Sequence, residues 1–309
     1  MRIINNIKNF PGEKLALTIG FFDGLHIGHR YLLKNLCELG RKEELQTAIL
    51  TFWPHPRTVF QEAYQPKLLN TFEEKNELFH TLPIDFCIQI PFTMELAQYS
   101  AFDFMRGFLK ETLHVEHLII GYDHRFGHNR SEGFAEYCKH GQEIGVEIVE
   151  AKPFIIAEGT ISSSAVRRAL NANDIATANA MLGYNYTLRG TVVDGHKIGR
   201  TIGFPTANIT PSDNHKLLPA KGVYAIRTTL DNGQIYGGML NIGERPTISG
   251  DNTLSIEANL FDFNENLYGQ KIAIEFIAFL RHETRFASLD ELRNALEQDA
   301  LNARLKLGL

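Results

Sequence analysis

The chain has 309 residues, 44% of them hydrophobic and 22% charged, with a formal net charge of -5. That balance is ordinary for a globular protein and gives no electrostatic case for a nucleic-acid partner; no uninterrupted apolar run reaches the ~18 residues of a membrane-spanning helix. The length exceeds what one hydrophobic core serves at about 100 to 200 residues per domain, so two domains are expected.

Cys37, Cys87 and Cys138 are widely spaced and form no CxxC pair, which argues against a disulfide framework and for a reducing compartment. The start of the sequence has no signal-peptide pattern, so the cytoplasm is the expected location.

In chain order, Leu15 to Ile19 is an apolar run that suits a buried strand and ends at Gly20. A helix is expected from Arg30, with Leu32, Leu33, Leu36 and Cys37 on its apolar face and Gly40 as its C-cap. Further strands are read at Thr47 to Phe52, Phe86 to Ile90, His117 to Gly121 and Val146 to Val149. Helices separate them: one opens on the capping box of Thr71 and Glu74, and others span Ala101 to Leu113 and Phe134 to His140. This alternation predicts a doubly wound parallel α/β sheet, whose ligands bind outside the carboxyl ends of the strands.

The stretch from Gly20 to His29 lies at such an end, with Asp23, Gly24 and Gly28 at the strand-to-helix junction. Glycine there lets a phosphate approach the backbone, and the first helical amides favour an anion. His26 and His29 are placed to donate to phosphorus-bound oxygens as charge builds in an in-line displacement. A solvated helix face and a zinc site with His124 and His128 are the competing readings; no cysteine accompanies those histidines. Asp123 follows the fourth of these strands and is a candidate for nucleotide or substrate contact, against a plain loop carboxylate. Trp53, Phe92 and Phe126 suit either a flat ligand ring or the core. Further on, three serines open a helix in the run from Thr160 to Leu170. Ser163, Ser164 and Arg167 there combine hydroxyls, backbone amides and a planar guanidinium, a set that cradles a triphosphate. Arg168 is expected in solvent.

Asp174 to Leu182 reads as one more helix ended by Gly183, and a boundary falls near Tyr184, giving domains 1–184 and 185–309. Beyond it the period changes to two, at Leu188 to Val193, Val223 to Thr229, Ile235 to Leu240, Thr253 to Leu260 and Lys271 to Leu280. An antiparallel β-barrel is predicted, followed by a helix that starts at Ser288, closes a capping box with Glu291 and docks through Leu289, Leu292 and Leu296. Between the first two of these strands, Gly195 to Asn208 is a glycine-rich basic loop containing Gly199 and Arg200 and closing on Pro205-Thr-Ala-Asn208. Thr206 and Asn208 share one face of an extended segment and offer neutral hard oxygens of the kind that hold magnesium alongside waters and phosphates. Downstream, Leu254, Ile256, Ala258 and Leu260 are expected to face the core and Glu257 the other side, as a base for an attacking alcohol.

Gly20 to His29 resembles the HxGH signature of nucleotidylyltransferases, and Ile161-Ser-Ser-Ser-Ala-Val-Arg167 resembles their ISSTxxR element, with Ser164 where Thr is common. Pro205-Thr-Ala-Asn208 and Glu257 resemble the metal-binding motif and base of riboflavin kinases. So do Gly222-Val-Tyr224, Asn241-Ile-Gly-Glu-Arg-Pro-Thr247, Leu267-Tyr-Gly269 and Phe279-Leu-Arg281, while Asn259 stands where that family often has His. Together the chain resembles the prokaryotic bifunctional FAD synthetase family. The resemblance implies phosphorylation of riboflavin to FMN by the second domain and adenylylation of FMN to FAD by the first, with ATP as co-substrate and Mg2+ at each step. It implies Thr206 and Asn208 as metal ligands and Glu257 as the base; read residue by residue, Gly199 and Arg200 are candidates to position the kinase's ATP and Arg281 for substrate contact. Two other readings stay open: a nucleotidylyltransferase for a different phosphorylated alcohol, and a flavin-sensing module without turnover.

Overall fold

The computed structural model describes residues 1–53, 67–121, 124–151, 154–156, 159–194, 203–246 and 252–309. The chain divides into two compact units, Met1–Ile161 and Ser162–Leu309.

The first unit is built on six strands: β1 (Arg2–Ile4), β2 (Leu15–Ile19), β3 (Gln46–Trp53), β4 (Phe86–Pro91), β5 (Val115–Ile120) and β6 (Glu147–Glu150). They pair in the order β1-β4-β3-β2-β5-β6, and every pair is parallel. β2 is buried along its whole length: Leu15 and Leu17 join the core on one face, and Ala16 joins Leu33 and Leu36 on the other. Because β2 lies between β3 and β5, the strand order reverses beside it, and the carboxyl ends of β2 and β5 flank the crevice where such sheets take ligands.

Helix α1 (Ile27–Lys42) extends at both ends beyond the expected span. Gly40 is inside it and is not its cap: a Cβ at that position would meet Thr47 Cγ2 at 2.5 Å, so the glycine lets the helix approach β3. Glu43 is the C-cap. Helix α2 (Phe72–His80) starts as predicted, Thr71 Oγ1 accepting from Glu74 N at 3.2 Å while Thr71 N donates to Glu74 Oε2 at 3.0 Å. The helix expected over Ala101 to Leu113 is a short α-helical turn, Ala101–Asp103, continued by a π-helix over Phe104–Thr112 that buries Phe104, Met105 and Leu109. Helix α3 (Phe134–Ile144) ends on Gly145 in the left-handed conformation, φ 68. A two-stranded antiparallel pair, β7 (Ile155–Ile156) with β8 (Gly159–Thr160), closes this unit.

The second unit begins with α4 (Ser163–Asn171) and α5 (Ile175–Leu182). Both are tied to residues further along the chain: Ala220 N donates to Leu170 O, and Asn179 Nδ2 donates to Phe276 O at 2.9 Å while its Oδ1 accepts from Tyr186 N at 2.8 Å. The compact units therefore part before the change of periodicity near Tyr184. The remaining strands are β9 (Thr187–Val193), β10 (Ala207–Pro211), β11 (Gly222–Leu230), β12 (Ile235–Pro246), β13 (Asn252–Leu260) and β14 (Lys271–Arg281). They close an antiparallel barrel in the order β10-β13-β12-β11-β14-β9, with β9 pairing back onto β10.

Helix α6 (Leu289–Leu307) packs on this barrel through Leu296, Ala300, Ala303 and Leu307, against Ala225, Met239 and Phe261. Two expectations for it need correction. Leu289 is 61% exposed, because the first turn precedes the seam, and the Glu291 carboxylate accepts from Ala287 N, one residue ahead of the Ser288 cap. The strongest tie is polar: Arg281, at the end of β14, donates Nε to Asp299 Oδ1 at 2.9 Å and Nη2 to Asp299 Oδ2 at 2.8 Å, with Asp299 buried. Removing one member of such a pair leaves the other uncompensated, so Asp299→Ala is expected to cost about 3 kcal/mol. The check is a drop in the thermal unfolding midpoint; an unchanged midpoint would mean that apolar packing alone holds α6.

Candidate active sites

In the first unit the chain leaves β2 through a turn with left-handed residues at Phe22 (φ 54), Gly24 (φ 81) and Leu25 (φ 35), and enters α1 with His26 as N-cap. His26 Nδ1 accepts from His29 N at 3.3 Å, which folds its imidazole over the first helical turn. The two rings stack with centroids 3.6 Å apart and planes 17° from parallel. Gly28 permits this, since a Cβ there would come within 3.2 Å of His26 Nδ1.

Two stacked imidazolium ions at that distance would repel strongly, so the pair cannot both be charged at little cost. Burial first, and then the nearby His26, His124 and Lys75, hold the pKa of His29 well below its ordinary value. His29 is therefore neutral near pH 7, and its Nδ1 is buried without a hydrogen-bond partner among the described residues. In the unfolded chain a histidine protonates below a pH of about 6.5, whereas the folded protein resists it, so this group's contribution to stability rises with pH and is lost on acidification. Thermal unfolding at about pH 7 and about pH 5.5 should show a smaller acid loss in His29→Asn than in the wild type.

Asp23 is buried at this turn, and its carboxylate accepts from Leu69 N at 3.0 Å and Asn70 N at 3.3 Å. It thus anchors the segment that leads into α2. Lys75 escaped the sequence reading. It lies in α2 with its Nζ donating to Phe21 O at 3.2 Å, 4.2 Å from the Phe21 ring centroid, and burial lowers its pKa to about 8. Its only sequence signal is the four-residue spacing to the buried Phe79, in a run of charges that looks solvated. Among the aromatic candidates, Phe126 stacks on the buried Tyr137 at 4.3 Å, Phe92 meets Phe52 at 5.5 Å, and Trp53 meets Phe72 at 5.0 Å. Asp123 lies outside the described residues, as do Gly199 and Arg200.

In the second unit Ser162 is the N-cap of α4, its Oγ accepting from Ala165 N at 3.2 Å. Ser163 and Arg167 are half-buried, while Ser164 and Arg168 are exposed, the latter as expected. The positive end of the α4 dipole thus carries two serines, with the guanidinium one turn further on.

The barrel holds the second site. Asn208 on β10 is directly opposite Glu257 on β13, so their side chains share one face. Thr206, just before β10, places its Oγ1 at 3.5 Å from Glu257 Oε2. Ile256, Ala258 and Leu260 point to the core as expected, but Leu254 is 48% exposed near the strand's start. Thr206, Glu257 and Asn259 line a pocket of about 290 Å³ whose apolar wall includes Phe204, Met239 and Leu296. Arg281 reaches the same pocket, with its guanidinium engaged by Asp299. Among the described residues no group of three or more His, Cys, Asp or Glu side chains could hold a metal.

The family model described as FAD synthetase matches residues 10–165, and the one described as riboflavin kinase matches residues 182–307. Over 309 residues the chain is 38% identical to the bifunctional riboflavin kinase/FMN adenylyltransferase of Escherichia coli (strain K12), covering 100% of this chain and 98% of that protein. The chain belongs to the bifunctional riboflavin kinase/FMN adenylyltransferase family. A second member, from Haemophilus influenzae, is 38% identical over 306 residues, covering 98% of each chain. A crystal structure described as a macrolide-efflux protein from Streptococcus pneumoniae matches with a TM-score of 0.86 and 27% identity over 96% of each chain. No helix among the described residues is long and apolar enough to cross a membrane. Within the bifunctional family's order of parts, the stacked histidines fall in the FAD synthetase match, and Thr206, Asn208 and Glu257 in the riboflavin kinase match.

Proposed function

We propose that this chain carries out two ATP-dependent steps on one vitamin, divided at residue 184. The part from 185 to 309 transfers the terminal phosphoryl group of ATP to a hydroxyl of riboflavin, giving FMN and ADP. The part from 1 to 184 transfers AMP from a second ATP to the phosphate of FMN, giving FAD and pyrophosphate. The observation that carries the kinase assignment is Glu257, which lines an apolar-walled pocket together with Thr206 and is directly opposite Asn208 on the neighbouring strand. For the transferase it is the stacked histidine pair at a helix N-terminus.

In the kinase, Glu257 takes the proton of the attacking hydroxyl, and Gly199 and Arg200 position ATP. Thr206 and Asn208 supply a hydroxyl and an amide oxygen, a donor set that suits a small hard cation keeping most of its positions for water and phosphate, as Mg2+ does. Magnesium, when bound, neutralises charge on the phosphates. Arg281, held by Asp299, forms part of the substrate-side wall.

In the transferase, His26 and His29 donate to oxygens of the α-phosphorus as charge develops, and Asp23, Gly24 and Gly28 shape the turn beside them. Ser163, Ser164 and Arg167 hold the leaving phosphates; the two serines fall within the FAD synthetase match, and Arg167 lies two residues beyond its end. Asp123 orients nucleotide or flavin. A reducing, cytoplasmic setting suits the three free cysteines, of which Cys37 and Cys87 have their thiol pKa raised chiefly by burial.

Incubation with riboflavin, ATP and Mg2+, followed by chromatography, should yield FMN first and then FAD. FMN accumulating without FAD would remove the transferase assignment, and no product from riboflavin would remove the kinase.

A further inference from the structure

The ladder that holds β10 to β13 is short, with two registered pairs, Ala207 opposite Ala258 and Asn208 opposite Glu257. The next position upstream, Thr206, would face Asn259, and no backbone pairing is formed there. Pro205 has no N–H with which to extend the ladder. Yet Thr206 must be held, since its Oγ1 is 3.5 Å from Glu257 Oε2 and both line the pocket.

What holds it is a side chain. Asn259, buried on β13 two residues beyond Glu257 and on the same strand face, donates Nδ2 to Pro205 O at 2.7 Å. We infer that Asn259 is a positioning residue of the kinase, a side-chain rung that gives the Pro205 carbonyl a donor where the backbone ladder has ended and so fixes Thr206 against Glu257. The inference rests on the kinase reading above only for its catalytic consequence. The clasp itself is a statement about how the segment before β10 is held.

The geometry separates this role from a contact with the flavin. An amide spent on Pro205 O acts on the segment that carries Thr206 and leads into Asn208 on β10, so its loss should weaken the handling of metal-bound ATP and leave flavin affinity alone. A histidine at this position can present an N–H at nearly the same reach, through Nδ1, and should replace the amide. Leucine has the same branched outline of four side-chain heavy atoms as asparagine but no donor.

The test uses the full-length protein with Asn259→Leu and Asn259→His. Hydrogen exchange at the amides of 203–211 should be faster in Asn259→Leu and close to wild type in Asn259→His. In FMN formation, Asn259→Leu should raise the KM for MgATP about tenfold, the loss of roughly one hydrogen bond, with kcat and the KM for riboflavin within about twofold. Asn259→His should restore the MgATP value. FAD formation from supplied FMN should be unchanged in both and shows that the protein is intact.

Unchanged exchange in Asn259→Leu overturns the clasp, whatever the kinetics. A rise confined to the KM for riboflavin overturns it as well, by placing Asn259 on the flavin. Failure of Asn259→His to recover both readouts would assign the effect to packing and not to the donated hydrogen bond. If the wild type forms no FMN, the kinase reading fails, and exchange still decides whether Asn259 holds the segment.

Discussion

His26→Ala is expected to lower FAD formation from supplied FMN by about 10² to 10⁴-fold while leaving FMN formation from riboflavin intact. The size follows from two losses at once. His26 caps α1 through the bond between its Nδ1 and His29 N, and it is the ring on which His29 stacks. Alanine removes a donor at the place where phosphoryl charge develops, and it frees the imidazole of His29 from its stacking partner. A lost cap alone costs about 1 kcal/mol, roughly a fivefold effect on an equilibrium, so a fall of two decades or more requires the chemical role. The measurement is the rate of FAD appearance with FMN and ATP supplied, beside FMN appearance from riboflavin in the same preparation. A loss confined to fivefold would reduce His26 to a helix cap. Loss of both activities in a folded protein would mean that the division of labour is wrong.

Glu257→Ala should give the mirror image. FMN formation should fall by about 10² to 10⁴-fold, while FMN supplied from outside is still converted to FAD. The argument is geometric: Glu257 is opposite Asn208 on the neighbouring strand, within 3.5 Å of Thr206 Oγ1, and lines the pocket. No cross-strand ladder depends on its side chain, because the β10–β13 and β12–β13 pairings are made by backbone. A large kinetic loss should therefore come with a thermal midpoint close to wild type. A variant that keeps more than about a tenth of its kinase rate would show that the attacking hydroxyl does not need this carboxylate.

Much of the fold was legible because its signals are local. The run Leu15 to Ile19, the glycines after it and the helix beyond them are adjacent in sequence, and the structure keeps them as β2, turn and α1. The Thr71 capping box and the period-two strands of the barrel were readable for the same reason. What was missed depends on contacts from far along the chain. β1 has three residues, too few for any period, and exists because Arg2 to Ile4 register with Phe86 to Ile88. β10 begins within the Pro205 to Asn208 motif and runs on only to Pro211, so the chemical pattern masks the start of a short strand. Gly40 resembles a helix stop until Thr47 is seen against it. Lys75 sits among Glu73, Glu74 and Glu77, and only the packing of α2 onto Phe21 takes it out of water.

The site residues divide along the same line. The histidine pair and the Thr206, Asn208 and Glu257 group could be chosen by type and spacing, but the sequence held no sign that His26 turns back onto His29, that Asp23 faces backbone amides, or that Asn259 reaches Pro205. Each of those depends on a side-chain torsion or on a segment brought in from elsewhere.

The grouping of α4 and α5 with the barrel bears on any attempt to run the two reactions in separate polypeptides. A carboxy-terminal piece cut at 185 would lose Asn179, which binds Phe276 O and Tyr186 N, and would strip the cover that Ile175, Ala178 and Leu182 provide. An amino-terminal piece that ends at 161 would lack both serines and Arg167. A piece meant to carry the barrel alone should therefore begin no later than 162, so that α4 and α5 keep the hydrogen bonds that tie them to it.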